Sequence, residues 1–385
     1  MLDYLLTEEQ KMIKDICRQI TDEKIRPVAA ELDRTEEFPW EPLRVMAQSD
    51  LFGVYIEQKY GGMGGGVLEL CLATEEFSKG CGGIAVSYAA SALGTYPIII
   101  GGSEEMKQKY LPDLASGKKI AAFGITEPAA GSDASAMQTT AKKDGDHYIL
   151  NGTKHFITNG GEAQIYTIVA MTDRHKGARG ASIFLVEKGT PGFTFGKKED
   201  KLGIRASATR ELIFQDCKIP KENLVGKEGA GFLLAMRTFD KSRPGIGAQA
   251  VGIAQGALDA AIKYSRERKQ FGKSISSFQG IQFMLADMAT KVEAARALVY
   301  ASAREIDAGK GDTMSSSMAK LFASDVAMEV TVDAVQIFGG YGYLKEYPAE
   351  KYMRDAKICQ IYEGTNQIQR DVIGHALIKE AASKK

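Results

Sequence analysis

The sequence predicts a three-part fold in which two all-α segments flank a small all-β domain. Three observations carry that prediction. Apolar residues recur at helical spacing as far as about residue 118, and short runs separated by turn dipeptides follow to about residue 228. Long helical stripes then return to the end of the chain. A length of 385 residues allows two or three domains, each with a real core. The division expected is 1–118 helical, 119–228 β and 229–385 a helical bundle.

The elements follow in order. Thr7 and Gln10 have capping-box spacing, and Met12, Ile13, Ile16, Cys17 and Ile20 share one helical face until Pro27. Residues 43–51 read as a second helix. The glycine-rich stretch 60–66 lacks G-x-G-x-x-G and reads as a loop. Helical patterns resume at 67–77, 84–93 and 104–111. From Ile120 the period changes, and 121–126, 147–150, 154–158, 165–172, 182–187, 193–195 and 211–214 read as strands. Asn151-Gly152 signals a two-residue hairpin and Pro191-Gly192 another turn. Beyond the β segment, Ile281, Met284, Leu285, Met288, Val292, Ala295 and Val299 form one core stripe. Met318, Phe322, Val326 and Val330 form a second, and 366–378 a closing helix. Long helices with short connections imply an antiparallel bundle.

Composition narrows the function. With 49 Lys+Arg against 49 Asp+Glu, the chain has no net field for nucleic acid or an anionic membrane. Its apolar runs are core-sized, so no membrane span is expected, and MLDYLLTEEQ at the start shows no targeting signal. Cys17, Cys71, Cys81, Cys217 and Cys359 are scattered, which fits a reducing compartment. His147, His155, His175 and His375 lack metal-ligand spacing, so no metal site is expected. The chemistry then falls to carboxylates, hydroxyls or a bound organic cofactor.

Four segments invite a chemical reading, and a fifth is a decoy. Residues 245–250 match G-x-G-x-x-A, but no strand precedes them and Pro244 reads as the first residue of a helix, so a dinucleotide fold is rejected. Residues 123–133, FGITEPAAGSD, run a strand into a loop whose N–H groups and hydroxyls, Thr126 and Ser132, suit a flavin ring or a pyrophosphate; an ordinary turn is the other reading. Residues 156–161, FITNGG, have the same character. The cations of 268–273, RKQFGK, suit a diphosphate or a solvated helix end. Glu363 sits between an apolar run and a glycine, just before Thr365 or Asn366 can cap the last helix. Apolar surroundings would raise its pKa toward that of a general base; a plain helix N-terminal glutamate is the alternative.

Taken together, TEPAAGSD at 126–133, FITNGG at 156–161, RKQFGK at 268–273, QIFGGYGY at 336–343 and IYEGTNQIQR at 361–370 resemble the acyl-CoA dehydrogenases. The order and spacing agree over nearly the whole chain, and the short- to medium-chain, butyryl-CoA dehydrogenase-like branch is the nearest likeness. The resemblance implies an N-terminal all-α domain, a middle β-barrel or sandwich and a C-terminal four-helix bundle, assembled as a homotetramer, a dimer of dimers. It implies FAD as cofactor, an acyl-CoA as substrate and electron-transfer flavoprotein as redox partner. The location it implies is the bacterial cytoplasm or, for a mature eukaryotic chain, the mitochondrial matrix.

Residue by residue, Glu363 matches the base that removes the pro-R α-proton while the β-hydrogen leaves as hydride to flavin N5. The Glu363 N–H and a ribityl hydroxyl would bind the thioester oxygen, where enolate-like charge develops. Phe123, Ile125, Thr126, Gly131, Ser132, Phe156, Ile157 and Thr158 match flavin-binding positions. Arg268, Phe271, Gln279, Gln336, Ile337, Gly339 and Gly340 match contacts to the FAD of a neighbouring subunit, and Thr365, Asn366 and Gln367 match further FAD contacts. Ser132, Asp240 and Arg243 match contacts to the CoA portion, and Gly364 lies by the substrate.

Three positions depart from the family pattern. Phe156 stands where many members have Trp, which keeps a cover for the flavin and loses the indole donor. Gln270 replaces a frequent Thr. Ser242 stands where some relatives place their base, and it cannot serve as one, which leaves Glu363 without a competitor. By resemblance the helix at 84–93 lines the acyl pocket with Val86, Ala89, Ala90 and Leu93. No cation lies between Gly82 and Gly102, where glutaryl-specific relatives carry an arginine, so an unbranched short or medium acyl chain is expected. The alternatives are an enoyl-CoA reductase running in reverse, an oxygen-using oxidase or a non-catalytic binding member.

Overall fold

The capping box at Thr7 and Gln10 forms as its spacing predicts. Thr7 Oγ1 accepts from the Gln10 N–H and the Gln10 side chain accepts from the Thr7 N–H, so α1 (Glu8–Ile20) begins with its first donors satisfied. The computed structural model describes residues 2–383; residue 1 and residues 384–385, the ends of the outer expected domains, lie outside the described residues. Pro27 does not stop the helical run. A π-turn at Thr21–Ile25 leads straight into α2 (Arg26–Thr35), with Pro27 in its first turn. Then come α3 (Trp40–Gln48), α4 (Val67–Gly80), α5 (Gly82–Gly101) and α6 (Glu104–Ala115).

By length and composition α5 could cross a membrane, which the short apolar runs had not led one to expect, and most of it is buried inside the protein. Most of its apolar surface finds protein neighbours, as in a core helix. A Cβ on Gly94 would lie 2.6 Å from the Ala122 amide nitrogen, so glycine is what lets the first strand cross here. Ser91 Oγ accepts from the Ala121 N–H at 3.0 Å, and Thr167 Oγ1 donates to the Gly94 carbonyl at 3.0 Å, which fixes α5 to the sheet.

The middle segment holds β1 (Ala121–Gly124), β2 (Thr140–Asp144), β3 (His147–Thr158), β4 (Ile165–Met171), β5 (Ala181–Glu187), β6 (Phe193–Lys198), β7 (Thr209–Pro220) and β8 (Leu224–Val225). They form one sheet in the order β6-β7-β3-β2-β4-β5-β8, with β1 beside β4. The β1–β4 and β2–β4 pairs are parallel and the others antiparallel. Asn151-Gly152 is not a hairpin. β3 runs through it, and the register against β7 slips between Leu150 and Gly152. Asn151 Nδ2 donates to Asp216 Oδ1 at 3.1 Å and the Asp216 N–H donates to Asn151 Oδ1 at 2.8 Å, so the dipeptide builds a bulge. The two-residue turn is Gly145-Asp146, between the paired Asp144 and His147.

Helix α7 (Gly231–Glu267) is continuous for 37 residues, with Pro244 inside it and not at its start. A hairpin of β9 (Lys269–Gln270) and β10 (Lys273–Ser274) follows, turned by Phe271 and Gly272, both at positive φ. Next are α8 (Gln279–Asp307), α9 (Thr313–Phe338), α10 (Ala349–Lys357) and α11 (Asn366–Ser383). Met288, Val292, Ala295 and Val299 of α8 are buried as expected. On α9, however, Phe322 is exposed, and the inner face is built from Ala319, Ala323, Ala327, Val330 and Ala334. The reason is close approach: a Cβ on Gly247 of α7 would lie 2.7 Å from Val299 and 3.3 Å from the Ala319 carbonyl, leaving space only for small residues.

Two hydrophobic cores cut across the three segments. One joins the N-terminal helices to the sheet, and the other joins α4 to the C-terminal helices. Helix α4 serves both, with Leu70 and Phe77 in the first and Leu68 and Leu72 in the second. Buried Glu75 accepts from Arg296 Nε and from the Tyr300 hydroxyl, both at 2.8 Å, and so ties α4 to α8. The cleft described next lies where all three segments meet.

Candidate active site

Glu363 lies between a short 3-10 turn at Ile358–Gln360 and the start of α11. It adopts φ +52°, a left-handed conformation that costs a non-glycine residue roughly 1–2 kcal/mol, and Gly364 follows at +89°. The surroundings hold that turn in place. Lys320 Nζ, from α9, donates to the Gly364 carbonyl and to Asn366 Oδ1, each at 2.8 Å. Gln369 Nε2 donates to the Glu363 and Gly364 carbonyls, each at 3.0 Å. Thr365 Oγ1 accepts from the Ile368 N–H at 3.2 Å and caps α11. Asn366, placed among the cofactor contacts by resemblance, instead has its side chain engaged within the bundle: Nδ2 donates to Ser324 Oγ at 2.9 Å and to Asp325 Oδ1 at 2.7 Å.

Among the described residues the carboxylate has one hydrogen-bond partner. Ser242 Oγ, from α7, donates to Glu363 Oε2 at 2.6 Å. Burial pushes the Glu363 carboxyl up to about 7, against the opposing pull of Ser242, Arg243 and Lys320. That direction is the one the apolar flanks of Glu363 led us to expect. Burial also pushes the Lys320 ammonium down to about 8. Lys320 and the Ser242 contact were not foreseen, because α7, α9 and the Glu363 turn are far apart in sequence and carry no shared spacing signal.

Glu363 opens into a cavity of about 330 Å³. Val86, Ala89, Ala90 and Leu93 line it from one face of α5, at i, i+3, i+4 and i+7. Phe239 and Ile246 of α7 face them, and Leu70, Tyr96 and Tyr362 complete walls that sequence reasoning left out. Tyr362 is held in place because its hydroxyl donates to Gln249 Oε1, and Gln249 Nε2 donates to the Gly82 carbonyl at 3.1 Å. Phe123, Ile125, Thr126, Gly131, Ser132, Phe156, Ile157, Thr158, Arg243 and Gly364 all line this cavity.

Several features of the cavity fit a flat cofactor rich in ring nitrogens and oxygens. Among the described residues, the hydroxyls of Thr126, Ser132 and Thr158 have no protein hydrogen-bond partner, although all three line the cavity. A Cβ on Gly131 would meet open space. Phe156 sits at φ +58° in a bulge between Lys154 and Ile157, which turns its ring out of the sheet to the cavity edge. A buried ion pair supports the loop beneath: Lys154 Nζ donates to Glu127 Oε1 at 2.7 Å and to the Ile125 carbonyl at 3.1 Å. Glu127 also accepts from the N–H groups of Gln138 at 2.5 Å and Thr139 at 2.9 Å. Nothing in the sequence flagged this pair.

On α7, Arg243 Nη1 lies 3.4 Å from Asp240 Oδ1, and its buried Nε has no hydrogen-bond partner among the described residues. Thr313 Oγ1 donates to Asp240 Oδ2 at 3.0 Å, and Asp240 itself does not line the cavity. A separate depression is lined by Arg268, Gln270, Ile337, Gly339 and Gly340 and shares no residue with the first. The Arg268 guanidinium lies 5.3 Å from the centre of the Tyr341 ring there. Phe271 at the hairpin tip is 91% exposed, and Gln279, Gln336 and Gln367 are exposed as well. One chain therefore does not bring these residues to the Glu363 cavity. No cluster of three or more His, Cys, Asp or Glu suited to a metal occurs among the described residues.

The chain runs helical–β–helical with a half-buried, bonded glutamate beside a hydroxyl-lined cradle, and comparison with known proteins identifies its family. The N-terminal, middle and C-terminal domains of the acyl-CoA dehydrogenases match residues 7–118, 122–217 and 229–378, and the chain belongs to that family. It is 51% identical over 379 residues to the short-chain-specific acyl-CoA dehydrogenase of Clostridium acetobutylicum, covering 98% of this chain and 100% of that one. It is 50% identical to the acryloyl-CoA reductase (NADH) of Anaerotignum propionicum, covering 98% and 96%. Among solved structures, butyryl-CoA dehydrogenase from Megasphaera elsdenii superposes with a TM-score of 0.95 at 50% identity, over 97% of this chain and 99% of that one. A chain from a structural study of the electron transferring flavoprotein of Acidaminococcus fermentans and flavin-based electron bifurcation also gives 0.95, at 56% identity, over 97% and 98%.

Proposed function

We propose that this protein catalyses the α,β-dehydrogenation of a short- to medium-chain acyl-CoA to the trans-2-enoyl-CoA, with Glu363 as the base and FAD as the cofactor. The observation that carries the reading is the Glu363 carboxyl. It is poised at about 7, bonded through Oε2 and set where an apolar channel meets the hydroxyls of Thr126, Ser132 and Thr158. FAD, when bound, supplies the acceptor for the β-hydride.

The chain's own residues do the rest. Glu363 Oε1 takes the α-proton. The Glu363 N–H, which has no acceptor among the described residues, donates to the thioester oxygen and acidifies the α-carbon. Val86, Ala89, Ala90 and Leu93 receive the acyl chain and exclude water, and no cation on α5 awaits a second carboxylate. Ser132 and Arg243 bind the CoA portion, and Asp240 orients Arg243. Thr126, Ser132, Thr158, Phe156 and Gly131 cradle the flavin ring. Thr365 and Gln367, with the backbone of Asn366, add contacts near the start of α11. Arg268, Phe271, Gln279, Gln336, Ile337, Gly339 and Gly340 reach the FAD of a neighbouring subunit in a homotetramer, with boundaries between the chain's parts near residues 118 and 228.

Electrons pass to electron-transfer flavoprotein, a reading supported by the likeness to the Acidaminococcus fermentans chain. The likeness to an acryloyl-CoA reductase favours a second reading, in which the same residues return a proton to an enoyl-CoA. Both directions use one site. Anaerobic addition of butyryl-, hexanoyl- and octanoyl-CoA to the FAD-loaded protein is expected to bleach the flavin band, most strongly for the chain length that fits. Bound FAD that no acyl-CoA bleaches would refute the dehydrogenation.

A further inference from the structure

Ser242 offers no basic group, yet its hydroxyl is bonded to the Glu363 carboxylate. It lies on α7, is buried, and is fixed by a helix packed on both sides. Its hydroxyl donates to Glu363 Oε2 at 2.6 Å, and no hydrogen bond reaches Oε1 from the described residues. We infer that Ser242 is a positioning residue for proton transfer: it holds the Glu363 carboxylate by Oε2 and so presents Oε1 to the substrate α-carbon.

The inference rests on the reading of Glu363 as the base. A glutamate side chain has rotatable bonds that α11 and the left-handed turn do not restrain, so its carboxylate needs a second anchor to keep one oxygen aimed. The other charged and titratable groups around it supply none. From α7, the Arg243 guanidinium points its Nη1 to Asp240 and Ser317. From α9, Lys320 is engaged with Gly364 and Asn366. Tyr96 of α5 and Asp133 of the loop line the cavity without a bond to Glu363, and Tyr362 bonds to Gln249. These groups act on Glu363 through space, while Ser242 touches it.

The Ser242 hydroxyl also has a second acceptor, the Phe239 carbonyl at 3.4 Å. While the carboxylate is charged, the hydroxyl donates to Oε2. After the α C–H bond breaks and the proton forms a bond to Oε1, the hydroxyl can turn to Phe239 and keep a partner. Both protonation states are thus accommodated with no net proton exchanged at Ser242.

The test uses the FAD-loaded protein with Ser242→Ala and Ser242→Thr. Two quantities are measured: kcat and KM for butyryl-CoA against pH, and the titration of the Glu363 carboxyl by infrared difference against Glu363→Gln. Loss of a hydrogen bond to a charged group is expected to lower kcat about tenfold in Ser242→Ala with KM little changed. Because that bond favours the charged form, the acid limb and the infrared titration should both move to higher pH, and Ser242→Thr should restore them. A Ser242→Ala protein with an unmoved carboxyl titration and wild-type kcat would overturn the inference, as would equal loss of bound FAD in both variants. If wild-type protein turns over no acyl-CoA, the proposed reaction fails, yet the infrared titration still decides for or against the Ser242 contact.

Discussion

Glu363 combines two unfavourable conditions, a left-handed backbone and a largely desolvated carboxyl. Each persists only because neighbours over-determine it: Lys320 and Gln369 hold the turn, and Ser242 holds the carboxylate. The pH dependence follows with a definite sign. Burial raises the folded pKa from 4.5 to about 7, so the native state binds more protons than the unfolded chain between those values. Folding stability from this group is therefore lost as pH rises through that window, while the ionised base becomes available. Turnover is expected to climb through about pH 7. Glu363→Gln, which removes the cost of a buried charge, should abolish α-proton removal yet raise Tm by roughly 2 degrees at pH 8 and less at pH 5, read by calorimetry on the FAD-loaded protein. An equal change at both pH values would contradict the assignment. At the CoA end, Arg243→Ala should raise KM for butyryl-CoA about tenfold or more and leave the bleached flavin spectrum at saturation unchanged. The glutamate was legible in the sequence because its apolar run, its glycine and its helix cap are contiguous. Its serine partner lies 121 residues away, and only the packing of α7 against the turn makes them neighbours.

Among the elements, the loop after β1 depends on a pair that motif reading passes over. Glu127 gathers Lys154, Gln138 and Thr139, and thereby fixes the segment that carries Thr126 and Ser132. Removing one member of a buried pair leaves the other charge uncompensated, so Lys154→Met should lower stability by about 3–5 kcal/mol and weaken FAD retention together. Wild-type denaturant midpoints and FAD content in that variant would sink the idea. The existence of most elements was legible from periodicity, but β2 and β8 had no expected counterpart, β7 runs well beyond 211–214, and 147–150 and 154–158 proved to be the single strand β3. Asn151-Gly152 has the backbone freedom of a hairpin turn, but the same freedom builds a bulge, and the partner strand β7 decides between them. Phe322 fits a helical stripe by hydrophobicity, while the close contact of α7 with α9 selects alanine and leaves Phe322 outside. Pro244 resembles a helix start only when read without the residues that continue α7 on either side.

For the whole molecule, the helical–β–helical order was legible because its two periodicities differ so clearly, and three of the five separated motifs, those at 126–133, 156–161 and 361–370, contribute residues to the Glu363 cavity. What no local pattern could reveal is that the cores run across the segments, so that α4 and α5 belong to the cleft as much as to the N-terminal part. Nor could the sequence alone separate the residues of the Glu363 cavity from those of the Arg268 depression. That separation fits the expectation, carried by the resemblance, that a partner chain completes the cofactor site. Phe271→Asp, at a fully exposed hairpin tip, should reduce FAD content and shift sedimentation away from four times the 41.7 kDa chain mass. Unchanged FAD content and assembly would place Phe271 outside any interface. The central claim, that one glutamate and one bound flavin dehydrogenate a short acyl-CoA, is tested most directly by anaerobic titration with butyryl-CoA of wild-type and Glu363→Gln proteins, both loaded with FAD. Rapid bleaching of the flavin in the wild type and none in Glu363→Gln is the predicted result. Equal bleaching in the two proteins would contradict it.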